Sequence, residues 1–107
     1  MDLNQYSIVL VNLDPTVGSE IKKTRLCVIV SPNEMNKYLN TIVFAPMTTN
    51  LKKYPTRFSV KHKGKMGMIA IDQIRTVDKT RVIRVFENLT KSEIEKCKEV
   101  IKETFVD

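Results

Sequence analysis

The sequence predicts a mostly β domain that ends in one helix, folded as a small antiparallel barrel or curled sheet. Several short runs have the alternating or continuous apolar pattern of strands. One long amphipathic run lies near the C-terminus, and strands followed by one packed helix favour this architecture. The 107 residues suffice for one hydrophobic core but not for two, so residues 1–107 are expected to form a single domain.

Short runs rich in Val, Ile, Phe and Thr account for the β prediction. The predicted strands are 5–13, 25–31, 41–48, 56–61, 66–71 and 82–86. The fourth and fifth pair as a hairpin across residues 63–65. Residues 32–36 predict a turn or one helical turn, because Pro and Asn occur there. Pro46 lies late in the third run, which predicts an edge, a bulge or the end of that strand.

The C-terminal helix has a recognisable start. Thr90 and Glu93 have the spacing of a capping box, in which each side chain bonds the other residue's amide. The apolar residues that follow recur at helical spacing and are expected to pack on the sheet, while Glu and Lys face solvent. The predicted packing stripe is Ile94, Cys97, Ile101 and Phe105.

The net charge of +6 is unevenly distributed along the chain. Residues 1–20 have three acidic and no basic residues, which gives −3. Residues 21–81 have thirteen Lys or Arg and three acidic residues, which gives +10, and the remainder sums to −1. A middle section this basic favours a polyanion such as nucleic acid, or an acidic protein partner.

Several classes of function are excluded or disfavoured. Cys27 and Cys97 lack metal-ligand spacing and predict buried thiols in a reducing, cytoplasmic compartment, without a disulfide or a zinc site. His62 is the only histidine, which excludes a two-histidine ribonuclease within one subunit, and its cationic turn predicts a solvated side chain. The sequence has only three glycines and no glycine-rich phosphate-binding loop, which rules out an enzyme that uses nucleoside triphosphates. No cofactor is expected. No apolar run is long enough to cross a membrane.

The connection between the first two predicted strands, residues 12–25, is much longer than a hairpin needs. It places carboxylates, hydroxyls and cations around Gly18, a mixture that suits binding a phosphate backbone and acting on it. An active site made of Arg, Thr, Ser and Glu side chains can cleave RNA, because the ribose 2′-hydroxyl is an internal nucleophile. The site needs only to align this hydroxyl with the phosphorus and to stabilise the negative charge that develops on the phosphoryl oxygens. Glu20 is the nearest candidate base, because Arg normally stays protonated.

At these residues the sequence resembles the MazF/PemK-type toxins, sequence-specific endoribonucleases of bacterial toxin–antitoxin systems. The ordered set of matching pieces extends over roughly residues 5–105. The pieces are residues 11–20 (VNLDPTVGSE), 23–25 (KTR), 46–49 (PMTT) and 72–79 (DQIRTVDK).

The resemblance implies an SH3-like barrel of the CcdB/PemK type with a C-terminal helix, and a homodimer. It implies cleavage of single-stranded mRNA without metal or ribosome, leaving a 2′,3′-cyclic phosphate and a 5′-hydroxyl. An antitoxin is expected to block the site, and the basic surface predicts an acidic, partly disordered antitoxin segment.

The resemblance also assigns residues. Arg25 corresponds to the main catalytic residue and Thr48 to the second. The implied RNA-binding residues are Ser19, Glu20, Thr49, Gln73 and Arg75. The chain departs from the pattern at Leu26, where many relatives have Pro, and at Ala70, where some members of the PemK branch have Arg.

Alternatives remain open at this point. A protein-binding toxin of the same fold, of the gyrase-directed CcdB type, would not need Arg25 or Thr48, and a nuclease-dead relative would bind RNA without cutting it. Thr48 could simply end a strand, and Arg25 could pair with Glu20. Asp72 is as well explained by holding the turn at residues 73–76 as by contacting RNA. The lysines at 52, 53, 63 and 65 are expected to attract phosphates in general, without reading bases.

Overall fold

A computed structural model describes residues 2–13 and 23–106. The elements are β1 (Ser7–Asn12), β2 (Thr24–Ile29), α1 (Asn33–Tyr38), β3 (Thr41–Thr48), β4 (Arg57–His62), β5 (Lys65–Ala70), β6 (Arg75–Asp78), β7 (Val82–Asn88) and α2 (Lys91–Ile101). Single 3₁₀ turns at Ile71–Gln73 and Lys79–Arg81 flank β6, and a π-helical turn at Lys102–Val106 follows α2. The six predicted strands and the helix are all present, whereas sequence patterns did not indicate β6.

Within the described residues, seven strands form one antiparallel sheet in the order β4-β5-β3-β2-β1-β7, with β6 beside β3. Strand β3 organises this sheet, because one of its edges pairs first with β6 and then with β5. Pro46 lies between the β6 pairs, which end at Phe44, and the β5 pairs, which begin at Met47. Its missing amide hydrogen therefore removes no bond from either ladder, which explains a proline inside a strand.

Both faces of the sheet are covered. One apolar cluster lies between the sheet and α2 and includes Ile8, Phe58, Ile69 and Cys97. The other lies on the opposite face and includes Val9, Cys27, Phe44 and Val77. Neighbouring residues of β1 thus enter different clusters, which is why the strand runs are continuously apolar. Both cysteines are buried free thiols, as predicted.

Helix α2 begins with the predicted capping box. The Thr90 hydroxyl accepts from the Glu93 amide at 3.2 Å, and the Glu93 carboxylate accepts from the Thr90 amide at 2.8 Å. The prediction that Phe105 ends the packing stripe was wrong, since this residue is 56% exposed. The α-helix ends at Ile101 and continues with the wider π geometry, so a step of four residues no longer returns to the packed face.

The prediction for His62 was also wrong: its side chain is only 6% exposed. Residues of β4 alternate between core and solvent, and His62 falls on the core side. The two-residue turn beyond it, Lys63 and Gly64 with positive φ angles, is solvent-exposed instead. The His62 ring meets Phe86 edge-on at 4.9 Å between centroids, and Nδ1 lies 2.6 Å from a Glu87 carboxylate oxygen.

These contacts join β4 to β7, the two outer strands in the sheet order. Strand β4 is also bonded to the helix that follows β7, since the Lys61 amide donates to the Glu93 carboxylate of α2 at 3.0 Å. The other oxygen of that carboxylate caps α2. The side chains of His62, Phe86 and Glu87 therefore link β4 to β7, which are not neighbours in the ladder, and Glu93 links β4 to α2.

The junction predicts a pH-dependent contribution of Glu87 to stability. Its own backbone amide, together with the bond and charge of His62, holds the pKa of Glu87 below the ordinary value of 4.5. A carboxyl pKa lowered by folding stabilises the protein above that ordinary value, and the stabilisation is lost as the pH falls through the folded pKa. We expect Glu87→Gln to lower the free energy of unfolding at pH 7 by about 0.5–1 kcal/mol, the modest value typical of a solvent-exposed pair.

Urea denaturation at pH 7 and at pH 3 measures this effect. The difference between Glu87→Gln and wild type should become smaller at pH 3 than at pH 7, because protonation of Glu87 removes the charge that the glutamine lacks. Glu95→Gln is the control, because Glu95 is an exposed helix residue 4.0 Å from Lys98. Equal destabilisation at both pH values would contradict the ionic role of Glu87.

Candidate active site

Strands β2 and β3 bring Arg25 and Thr48 together. In their antiparallel register Cys27 faces Pro46 and Ile29 faces Phe44, and the same register extended by two residues places Arg25 opposite Thr48. A cavity of about 270 Å³ lies at this place. It is lined by Thr24, Arg25, Leu26, Met47, Thr48 and Thr49. Three of the residues singled out by the resemblance, at positions 25, 48 and 49, thus share one cavity, which we call the Arg25–Thr48 cleft.

The Thr48 hydroxyl is held in position at the end of β3. It accepts a hydrogen bond from the Asn50 amide at 3.2 Å, and Thr48 itself faces Met68 of β5 in the ladder. The bond from Asn50 uses a lone pair of the oxygen, so the O–H hydrogen can still be donated to an anionic oxygen in the cleft. The pairing of Thr48 with β5, together with the bond from Asn50, therefore fixes where this donor lies.

Arg25 is exposed at the start of β2, directly before the buried part of that strand. Burial raises the pKa of the Cys27 thiol to about 12, while the positive charges of Arg25 and Arg75 oppose the rise. Arg75 of β6 faces Phe44 of β3, which in turn faces Ile29 of β2, so the two arginines belong to the same face of the sheet. This face carries the cationic groups that an RNA backbone needs.

Gln73 and Arg75 are not among the residues that line this cavity. Gln73 is exposed in the 3₁₀ turn between β5 and β6, and Arg75 is exposed at the start of β6. Both follow Ile71, whose amide donates to the Thr56 carbonyl at 3.0 Å. The turn is thus attached to the beginning of β4.

Asp72 is a structural acceptor, but not of the turn at residues 73–76. Its carboxylate accepts from the Thr56 hydroxyl at 2.9 Å and from Arg57 Nε at 3.2 Å. The hydrogen bond from Arg57, with the bond from Thr56, lowers the pKa of Asp72. The carboxylate therefore fixes the turn that carries Gln73 against β4, a contact that sequence spacing of sixteen residues could not reveal.

Ser19 and Glu20 lie outside the described residues, as does the rest of the connection at 14–22. Its two ends are held together, because Asn12 faces Thr24 and the Leu13 amide donates to the Lys23 carbonyl at 2.7 Å. This connection therefore starts and finishes next to Arg25. The proposed base and the alternative Arg25–Glu20 ion pair both involve the residues that are not described.

The sequence analysis did not identify the close packing of Met47 against Gly67, next to the cleft. A Cβ atom at Gly67 would lie 2.7 Å from Cγ and Sδ of Met47, too close for any side chain without displacement. Met47 lines the Arg25–Thr48 cleft, as does Leu26. An isolated glycine inside a strand pattern was the available signal for close packing here.

No group of three His, Cys, Asp or Glu suited to a metal ion occurs among residues 2–13 and 23–106. In the same part of the chain, no helix combines the length and the apolar character needed to cross a membrane.

The geometry defines a half-barrel protein of mostly antiparallel strands, closed by a C-terminal helix, with a cationic cleft at the ends of two central strands. Residues 4–105 match the family model of the PemK-like, MazF-like toxins of type II toxin–antitoxin systems. The chain belongs to this family, which confirms the resemblance seen in the sequence.

Solved structures confirm the predicted fold. A MazE–MazF complex from Deinococcus radiodurans has a TM-score of 0.83 at 18% identity, covering 99% of this chain and 98% of the other. An endoribonuclease in complex with its cognate antitoxin from Mycobacterial species has a TM-score of 0.82 at 17% identity, with coverage of 96% and 94%. The Mycobacterium tuberculosis toxin MazF-mt6 has a TM-score of 0.78 at 20% identity, with coverage of 94% and 96%.

Proposed function

We propose that this toxin is a sequence-specific endoribonuclease that cleaves single-stranded mRNA without a metal ion or the ribosome. The observation that carries the proposal is that an exposed arginine and a positioned threonine hydroxyl line the same cavity, the Arg25–Thr48 cleft. Family membership supports it, and proteins similar in structure include endoribonucleases.

The reaction follows from the chemistry of the cleft. The ribose 2′-oxygen attacks the adjacent phosphorus and the bond from phosphorus to the 5′-oxygen breaks, which leaves a 2′,3′-cyclic phosphate and a 5′-hydroxyl. The Arg25 guanidinium stabilises the charge that builds on the phosphoryl oxygens, because its planar fork matches two of them. The Thr48 hydroxyl donates a further bond to these oxygens. Glu20 takes the proton of the 2′-hydroxyl in this scheme, and solvent water donates a proton to the departing 5′-oxygen.

The surrounding residues bind the RNA strand. Ser19, Glu20 and Thr49 bind the nucleotides at the cleft. Gln73 and Arg75 contact the RNA beyond it, near the edge of β3 that pairs with β6. The exposed lysines attract the backbone without reading its sequence. The protein acts in the cytoplasm, where mRNA is present and buried thiols such as Cys27 stay reduced.

An antitoxin regulates this activity by covering the cleft. The similar structures include complexes of toxin with antitoxin. The surplus of cations between residues 21 and 81 is complementary to an acidic segment that becomes ordered as it binds. The active form is a homodimer.

Sequencing the 5′ ends that the purified protein produces from a long RNA tests the proposal. We expect cuts at one short common sequence, 5′-hydroxyl ends, and the same products in the presence of a chelator. Intact RNA under conditions in which the protein arrests growth would contradict nuclease activity and favour a protein-directed toxin. RNA that is bound in a gel shift but never cut would indicate a nuclease-dead relative.

A further inference from the structure

A second cavity, of about 390 Å³, lies one strand away from the Arg25–Thr48 cleft. Met68 of β5 lines it, and Met68 is the residue that faces Thr48 across the β3–β5 ladder. Side chains of facing residues lie about 5 Å apart at their Cβ atoms, so the two cavities flank a single residue pair. We call the second one the Tyr54 cavity, because the Tyr54 ring forms part of its wall.

The Tyr54 cavity has the lining that a nucleotide requires. Lys53, Arg57 and Lys96 contribute three cations, against the single carboxylate of Glu103. Met68 and Val100 contribute apolar surface next to the aromatic ring. Single-stranded nucleic acids bind where aromatic faces accept bases and neighbouring cations accept the backbone.

The Tyr54 ring itself attracts flat or positively charged groups. Arg57 lies 4.8 Å from the ring centroid and Lys52 Nζ lies 5.4 Å from it. Arg57 is fixed by its bonds to Asp72, whereas Lys52 is exposed and Tyr54 is 39% exposed. A nucleobase can therefore replace the Lys52 ammonium on the ring and leave that cation for a phosphate.

We propose that the Tyr54 cavity binds a nucleotide of the same RNA strand whose scissile phosphate lies between Arg25 and Thr48, an inference that rests on the proposed function. The base stacks on Tyr54, and Lys53 and Lys96 contact the flanking phosphates. An acidic peptide would satisfy the cations but would leave the aromatic face unused. Residues 49–56 connect Thr48 to β4, so the stacking ring of Tyr54 follows the Thr48 hydroxyl closely along the chain.

The test measures binding and cleavage separately. An RNA with a single 2′-deoxynucleotide at the cut site cannot be cleaved, and its dissociation constant is measured by fluorescence anisotropy. Tyr54→Ala is expected to weaken binding about tenfold, within the range found for loss of one stacked base. On cleavable RNA it should raise KM by a similar factor with little change in kcat. Tyr54→Phe keeps the ring and should behave like wild type.

Tyr38→Ala is the matched control. Tyr38 on α1 also carries a lysine over its ring, with Lys37 Nζ at 5.6 Å from the centroid, and it is 77% exposed. If Tyr54→Ala unfolds, two lysine variants on α2 replace it. Lys96→Ala should weaken RNA binding and Lys98→Ala should not, since only Lys96 lines the cavity.

The outcomes separate the two proposals. Unchanged RNA affinity in Tyr54→Ala and Lys96→Ala overturns the subsite and leaves the nuclease intact. Weaker antitoxin binding with unchanged RNA affinity overturns it as well, in favour of a protein-docking surface. If wild type never cuts RNA but loses affinity through Tyr54→Ala, the nuclease proposal fails and the nucleotide cavity stands.

Discussion

Replacement of Arg25 by alanine is expected to slow RNA cleavage by about 100-fold or more, the loss typical of removing one donor to a developing anion. Arg25 is exposed at the strand start, so its truncation leaves no buried partner unsatisfied and the fold should persist. Arg25→Lys keeps the charge but not the fork, and should recover only part of the rate, because a lysine cannot bind two phosphoryl oxygens in the same geometry.

Single-turnover cleavage with saturating protein isolates the chemical step for this comparison. Arg84→Ala is the control, since Arg84 is an exposed arginine on the outer strand β7, where it faces Leu10. It removes one positive charge from the same protein without touching the cleft. Equal rates for Arg25→Ala and wild type would remove Arg25 from the mechanism, whereas an equal loss in both arginine variants would indicate general charge attraction.

Removal of the Thr48 hydroxyl is expected to have the second largest effect. Thr48→Val keeps the size and β-branched shape of the side chain but cannot donate a hydrogen bond. It should lower kcat by about 10- to 100-fold, less than the roughly 100- to 1,000-fold found for strong transition-state donors, because a hydroxyl is neutral. Thr48→Ser retains the donor and should stay within a few-fold of wild type.

The control for Thr48 is Thr76→Val on β6, an exposed threonine that faces Val43. RNA affinity, measured with the uncleavable substrate, should change little in Thr48→Val, because the bond strengthens only as charge develops. Loss of affinity without loss of kcat would assign Thr48 to substrate binding instead. Loss of activity in Thr48→Ser as well would show that the hydroxyl alone is not sufficient and that the methyl group is also needed.

Local patterns in the sequence were sufficient for most of the framework. The capping box at Thr90 and Glu93, the hairpin turn and the apolar strand runs each depend on residues close in the chain. For the same reason β6 was missed: its four residues have an exposed–exposed–buried–exposed pattern, and only pairing with β3 makes them a strand. The packed stripe of α2 was predicted as far as Ile101, where a change of helical geometry ended the periodicity.

The partners of His62 and Asp72 could not be read from the sequence, and both cases have the same physical origin. Each side chain has its main partner far away in the chain, Glu87 for His62 and Arg57 for Asp72. A residue near a cationic turn is ordinarily solvated, and a residue near a turn ordinarily bonds that turn. Closure of the curved sheet between β4 and β7, and attachment of the 3₁₀ turn to β4, override these local expectations.

By itself the sequence determined the fold class, the family and which residues can provide phosphate chemistry, because motifs and apolar periodicity are properties of neighbouring residues. Only the tertiary structure decided that Arg25 and Thr48, twenty-three residues apart, share one cleft, and that Tyr54 faces a second cavity beside it. The physical reason is the register of the sheet. A shift of one residue between β2 and β3 would direct the side chains of positions 25 and 48 to opposite faces, and buried packing on both faces, not any local motif, sets that register.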